Sequence, residues 1–266
     1  DIRAHNPQYT SLLLDDLQWL GLTWDKGPYY QSKRAELYQD ALLKLKQQKL
    51  LYPCFCSRAD LHAAQAPHAS DGAYVYAGTC RDLSKSEREE LSKHKIPATR
   101  IRVPNKTYAF EDKVYGQTSQ NLSKLCGDFI VQRADEVFAY QLAVVVDDAD
   151  MGVTEVVRGS DLLSSTPRQL YLQDVLGFSH PIYAHLPLLV APDGRRLSKR
   201  NHDLDLGVLR DQGKTPEEIL GFLAYCIGLA EKEEPLSAVQ VANRFSWDVL
   251  RAHRKNVVVE HFSHVL

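Results

Sequence analysis

Apolar residues fall at three- and four-residue steps across residues 8–20, where Tyr9, Leu12, Leu13, Leu17 and Leu20 share one face. That spacing predicts an amphipathic helix, and Gly21 supplies its left-handed stop. A second stripe, Leu37, Tyr38, Ala41, Leu42 and Leu45, predicts another helix, with Ser32 as N-cap and Lys and Gln on its outer face. Residues 84–94 form a charged helix; Pro97 follows, and the alternation ATRIRV over 98–103 predicts a strand. Phe129, Ile130 and Val131 read as a strand. The valine run at 142–146 fits a strand or a buried helix equally well, whereas 154–157 and 186–190 read as buried strands. Ser165-Thr166-Pro167 is a cap with proline in the first turn of a helix that Gly177 closes. Thr215-Pro216-Glu217-Glu218 opens a further helix that can run to Ile227 before Gly228 stops it. Helices alternating with buried strands predict an α/β sheet with an inserted small module and a helical tail.

Composition narrows the class. The 266 residues can bury a sizeable core in one large domain or two small ones. With 25% charged residues and a formal net charge of −2, the chain is no general nucleic-acid coat, although a local basic face could still meet one folded RNA. Its apolar runs fall far short of the roughly 20 residues a membrane span needs, and no signal peptide is visible at the start. Five cysteines, an odd number, do not make a disulfide framework. They point to a reducing cytoplasm, with any cysteine cluster read first as metal-binding.

The candidate chemistry lies in two stretches. Residues 138–168 place Tyr140, the pair Asp147 and Asp148, and Arg158 around two apolar runs. Arg158 closes a buried strand, where an arginine is costly unless it meets a carboxylate or phosphate, either in a substrate or internally at Asp161 or Asp147. Tyr140 reads equally as a core tyrosine, and adjacent aspartates at a helix or loop end need carry no chemistry. The second stretch is Gly194-Arg195-Arg196-Leu197-Ser198-Lys199-Arg200, after the turn Pro192-Asp193-Gly194. A lysine in such a loop can meet charge developing on phosphates, and its place after a buried strand is where α/β folds put ligands. Cys54, Cys56 and Cys80 could bind zinc as thiolates. A fourth ligand would come from Tyr76, His62, His68 or Asp71, while Cys126 and Cys226 sit in apolar, core-like contexts.

These residues make the chain resemble the glutamyl-tRNA synthetase group of class I aminoacyl-tRNA synthetases, and within it the short paralogue that acts on queuosine. The resemblance runs through LGLTWDKGPYYQSKRAELY, CFCS, YAGTC, GDFIVQRAD, YQLAVVVDDADMGVTEVVRGSDLLSSTPRQ, HLPLLVAPDG and RLSKRNHD. It implies a Rossmann-like catalytic domain divided as 1–52, the remainder of the first Rossmann half; 53–125, an inserted zinc-binding, acceptor-type module; 126–205, the second half with the RLSKR loop; and 206–266, a helical C-terminal region. Lys199 would be the catalytic lysine of a KMSKS-type loop, binding ATP together with Arg196, Leu197 and Ser198. Tyr140 and Arg158 would hold glutamate, and Cys54, Cys56, Tyr76 and Cys80 would hold one structural Zn2+. The segment 140–150 would be helical. The implied substrates are glutamate, ATP with Mg2+, and tRNA(Asp) bearing queuosine, acted on by a cytoplasmic monomer.

No H-x-G-H run occurs in the sequence, and Asp1-Ile2-Arg3 begins just past the place of the family's first strand and HIGH-type turn. The resemblance therefore implies an N-terminally incomplete chain, expected to show little glutamate-dependent ATP–pyrophosphate exchange by itself. Only 66 residues follow Arg200 (266 minus 200), which favours the short paralogue. The alternatives are a fragment of a glutamyl-tRNA synthetase and a non-catalytic RNA- or protein-binding remnant of the fold.

Overall fold

The computed structural model describes residues 7–57, 60, 75–195, 197 and 206–259. Helices α1 (Pro7–Trp19) and α2 (Ala35–Gln47) form where the two apolar stripes predict them. In α2 the stripe is buried at Tyr38, Ala41, Leu42 and Leu45. In α1 it is not: Tyr9, Leu12 and Leu13 are exposed, and the buried positions of this segment are Asp16 and Leu20. Ser32 does not cap α2. It lies within the 3-10 turn Gln31–Lys33, and the capping position is taken by Arg34, which has no side-chain acceptor and gives its guanidinium to Asp147 and Asp150.

Strands β1 (Leu51–Cys54), β2 (Ala98–Ile101) and β5 (Phe129–Gln132) form a three-stranded antiparallel sheet in that order. Helix α3 (Lys85–Ser92) precedes β2 and opens on a capping box between Ser84 and Glu87. A second sheet runs β4 (Gly116–Asn121), β3 (Thr107–Asp112), β7 (Ile182–Leu186), β6 (Glu155–Gly159). There β3 and β4 are an antiparallel hairpin, and β7 is parallel to both β3 and β6. The short helix α4 (Leu122–Leu125) leads from β4 towards β5. The hairpin thus comes from the stretch read as an inserted module, yet it shares a sheet with the strands that follow α5 (Tyr140–Asp150).

The segment 142–146 is helical, within α5, as the resemblance implies; Leu142, Ala143, Val145 and Val146 face the core. Two strand expectations need correction. Residues 154–157 do not make a buried strand: β6 stands at the end of its sheet order, and Val157 is 52% exposed. Residues 186–190 are not one strand, because Pro187 cannot donate to a ladder. The chain splits into β7 and β8 (Leu189–Val190), and β8 pairs with β9 (Val257–Val258). Ser165 precedes α6 (Thr166–Leu176) without capping it by its side chain; its hydroxyl accepts from Gln141 instead. Gly177 closes α6 with φ 74°.

The main core joins α2, α5 and α6 to both sheets through Leu45, Ile101, Tyr108, Val131, Leu142, Leu172 and Tyr183. The tail comprises α7 (Leu206–Asp211), α8 (Pro216–Cys226), α9 (Ala238–Asn243) and α10 (Trp247–Ala252). Its own apolar cluster joins Leu20, Leu209, Ile219, Phe222 and Val259. A third cluster surrounds the cysteines. No helix among the described residues is long and apolar enough to cross a membrane.

Candidate active site and metal centre

Tyr140 opens α5 and is 48% exposed, so it is neither a core residue nor held by a described hydrogen bond. It lines an open pocket of about 660 Å³ together with Gln31, Arg133, Phe138 and Ala143. Arg158, the other residue expected at glutamate, is not on that pocket's wall. It leaves β6 with its guanidinium 5.4 Å from the centre of the Tyr183 ring. The Tyr183 hydroxyl is pushed above the ordinary phenol value by burial first; Gln173 and Arg158 oppose the rise, and Asp148 and Tyr140 add to it.

Neither internal partner expected for Arg158 is bonded to it. Its Nε donates to His185 Nε2 at 3.0 Å, and its Nη2 donates to Thr166 Oγ1 at 2.9 Å and to the Leu162 carbonyl at 3.4 Å. Among the described residues none of these acceptors is charged, and Nη1 has no partner. Asp147 is committed elsewhere, accepting from Tyr38 Oη, Arg34 Nε and Gln31 Nε2. Asp148 is raised above the usual carboxylate value by burial, against the pull of Arg158. A guanidinium held by neutral acceptors keeps its charge available to an acidic ligand.

Sequence reasoning missed His185 and Asp112. His185 is fully buried, and its Nδ1 lies 2.6 Å from Asp112 Oδ2. Asp112 Oδ1 accepts from the backbone N–H groups of Val114 and Tyr115, at 2.9 Å each. Burial alone would raise the Asp112 carboxyl, but His185 and these N–H groups outweigh it and hold it below the usual range. The only hint in the sequence was a histidine inside an apolar strand.

Cys54, Cys56 and Cys80 converge, with all three Sγ atoms within 4.8 Å of one another. Cys56 and Cys80 are 3.6 Å apart, and Tyr76 Oη lies 3.6 Å from Cys54 Sγ and 3.8 Å from Cys56 Sγ. A tetrahedral zinc with bonds of about 2.3 Å to sulfur and 2.0 Å to oxygen would need separations of about 3.5–3.8 Å, which the Cys56–Cys80, Cys54–Tyr76 and Cys56–Tyr76 distances match. The tyrosine is fixed from behind: the Cys80 N–H donates to its Oη at 2.7 Å, and Arg100 stacks 3.8 Å above its ring. Gly127, at φ 60°, pairs with Tyr76 so closely that a Cβ there would strike the Tyr76 carbonyl. Burial resists ionising Cys54, but the Arg100 charge and its Nε–H bond at 3.1 Å outweigh it and lower the thiol. Cys56 is pushed up to about 12 by burial, then by its bond to Cys80 and the charge of Cys54. Arg100 was also missed, because the ATRIRV alternation puts both of its arginines on the face opposite Ile101 and Val103. His62, His68 and Asp71 lie outside the described residues.

The turn at Pro192-Asp193-Gly194 forms as expected, with the Gly194 N–H donating to the Ala191 carbonyl at 2.8 Å. Leu197 is half-buried against the tail's apolar cluster. Arg196, Ser198 and Lys199 lie outside the described residues.

The family described as tRNA synthetases class I (E and Q), catalytic domain, matches residues 1–263. A glutamyl-Q tRNA(Asp) synthetase of Symbiobacterium thermophilum is 46% identical over 97% of this chain and 82% of its own length. One of Rhodopirellula baltica is 42% identical over 96% of this chain and 83% of its own. A crystal structure of a glutamate tRNA ligase from Elizabethkingia meningosepticum, in complex with its amino acid, superimposes with a TM-score of 0.75 at 23% identity. That likeness covers 97% of this chain and 58% of the ligase and concerns the fold alone. The chain belongs to the glutamate and glutamine family of class I tRNA synthetases, with the glutamyl-Q tRNA(Asp) synthetases as its relatives.

Proposed function

We propose that this protein activates glutamate with ATP and transfers the glutamyl group to the queuosine base of tRNA(Asp). The observation that carries this reading is Arg158, whose Nη1 edge is unused among the described residues while neutral acceptors fix the rest of the guanidinium. Relatives that cover almost the whole chain and bear the name glutamyl-Q tRNA(Asp) synthetase support the choice of substrates.

On this reading Arg158 takes a glutamate carboxylate through Nη1, and the Tyr140 hydroxyl supplies a further polar contact. A carboxylate oxygen of glutamate attacks the α-phosphorus of ATP; the bond to the β-phosphate oxygen breaks and pyrophosphate leaves. Lys199, with Arg196, Leu197 and Ser198 forming the loop around ATP, meets the negative charge that develops on the phosphates. A nucleophile on the queuosine base then attacks the acyl carbon of the glutamyl adenylate, and AMP departs. Mg2+ accompanies ATP. Cys54, Cys56, Cys80 and Tyr76 would hold zinc, which would supply a structural cross-link between the end of β1 and the 76–80 turn.

The test uses the full-length gene product with labelled glutamate and three acceptors: tRNA(Asp) containing queuosine, tRNA(Asp) lacking it, and tRNA(Glu). Label is expected in the first alone, falling about a hundredfold in Lys199→Ala. Labelling of tRNA(Glu), or undiminished transfer by that variant, would overturn the reading.

A further inference from the structure

Behind Arg158 stands a buried relay that contacts no substrate in the reaction proposed above. An arginine Nε–H can only donate, so His185 Nε2, 3.0 Å away, must accept. The proton of the neutral imidazole is thereby placed on Nδ1, which donates to Asp112 Oδ2 at 2.6 Å. Thr166 Oγ1, itself fully buried, completes the cradle by accepting from Nη2. Asp112 comes from the end of β3 and His185 from β7; the parallel pairing of Asp112 with Tyr183 brings them together across 73 residues of chain.

A carboxylate placed directly on Arg158 would compete with the carboxylate of an incoming amino acid. With an imidazole between them, Asp112 sets direction without occupying the guanidinium. We propose that Asp112 and His185 are positioning residues: the buried carboxylate fixes the imidazole tautomer, and the imidazole with Thr166 aims the Nη1 edge of Arg158 at bound glutamate. The inference rests on Arg158 holding glutamate, as proposed above.

The decisive variant is Asp112→Asn. Its amide oxygen can keep the backbone N–H bonds, while its NH2 faces His185 Nδ1 and forces the proton onto Nε2. Two donors then oppose each other at Arg158, the tautomer error known from catalytic triads. In ATP–pyrophosphate exchange by the full-length gene product, KM for glutamate should rise about tenfold, with kcat and KM for ATP within about twofold. Nitrogen-15 histidine spectra should show His185 Nε2 unprotonated in the wild type and protonated in D112N. An unchanged glutamate KM in D112N, or a wild-type Nε2 that carries the proton, overturns the relay. Should D112N not fold, Thr166→Val decides: KM for glutamate should rise about threefold, and no rise overturns the relay. Arg158→Ala separates the two claims, because a normal glutamate KM in that variant would sink the glutamate reading itself rather than the relay alone.

Discussion

Arg158 and Tyr140 come from different elements, β6 and the head of α5, and each makes its own demand on a ligand. Tyr140 offers a hydroxyl with no described partner and opens onto the pocket at the head of α5. If it holds glutamate, Tyr140→Phe should raise the glutamate KM about fivefold and leave stability unchanged, since no hydrogen bond among the described residues is lost. Steady-state kinetics beside a urea titration check both halves. Asp112 carries a pH prediction. Its folded-state carboxyl titrates below the usual value, because His185 and two N–H groups outweigh burial. The stability it contributes is therefore present above the unfolded value, about pH 4, and is lost as pH falls through the lower folded value. Urea midpoints measured from pH 6 to pH 3 should fall for the wild type and fall less steeply for D112N.

Among the elements, the antiparallel sheet of β1, β2 and β5 is tied to the cysteine cluster by one buried carboxylate. Asp128 accepts from Tyr52 Oη at 2.6 Å, Arg81 Nε at 2.7 Å and the Val103 N–H at 2.8 Å. Asp128→Ala strands the Tyr52 hydroxyl and the Val103 N–H inside and should cost about 3 kcal/mol in urea unfolding. The cluster makes its own prediction: one zinc per chain by elemental analysis, lost in Cys80→Ser together with a lower melting temperature. A full complement of zinc in that variant would remove Cys80 from the ligand set. In the tail, α8 packs so tightly on the 234–236 segment that a Cβ at Gly221 would overlap the Glu234 carbonyl oxygen. Gly221→Ala should therefore lower the melting temperature even though alanine favours helix, because overpacking outweighs propensity.

For the whole molecule, what was readable in the sequence was what neighbours in the chain decide. The stripe of α2, the glycine stops at Gly177 and Gly228, and the box at Thr215 and Glu218 all depend on residues within a turn or two. The cysteine trio was legible because three like ligands stand out; Arg100 behind it was not, since the charge it meets lies 46 residues away. His185 and Asp112 look like isolated polar residues until β3 and β7 are placed side by side. The same pairing makes the sheet continuous from the hairpin to β6, whose end presents Arg158. The account as a whole turns on that arginine, and glutamate-dependent ATP–pyrophosphate exchange by the full-length Arg158→Ala protein tests it most directly. The prediction is a glutamate KM raised about a hundredfold with ATP affinity unchanged; wild-type dependence on glutamate would contradict it.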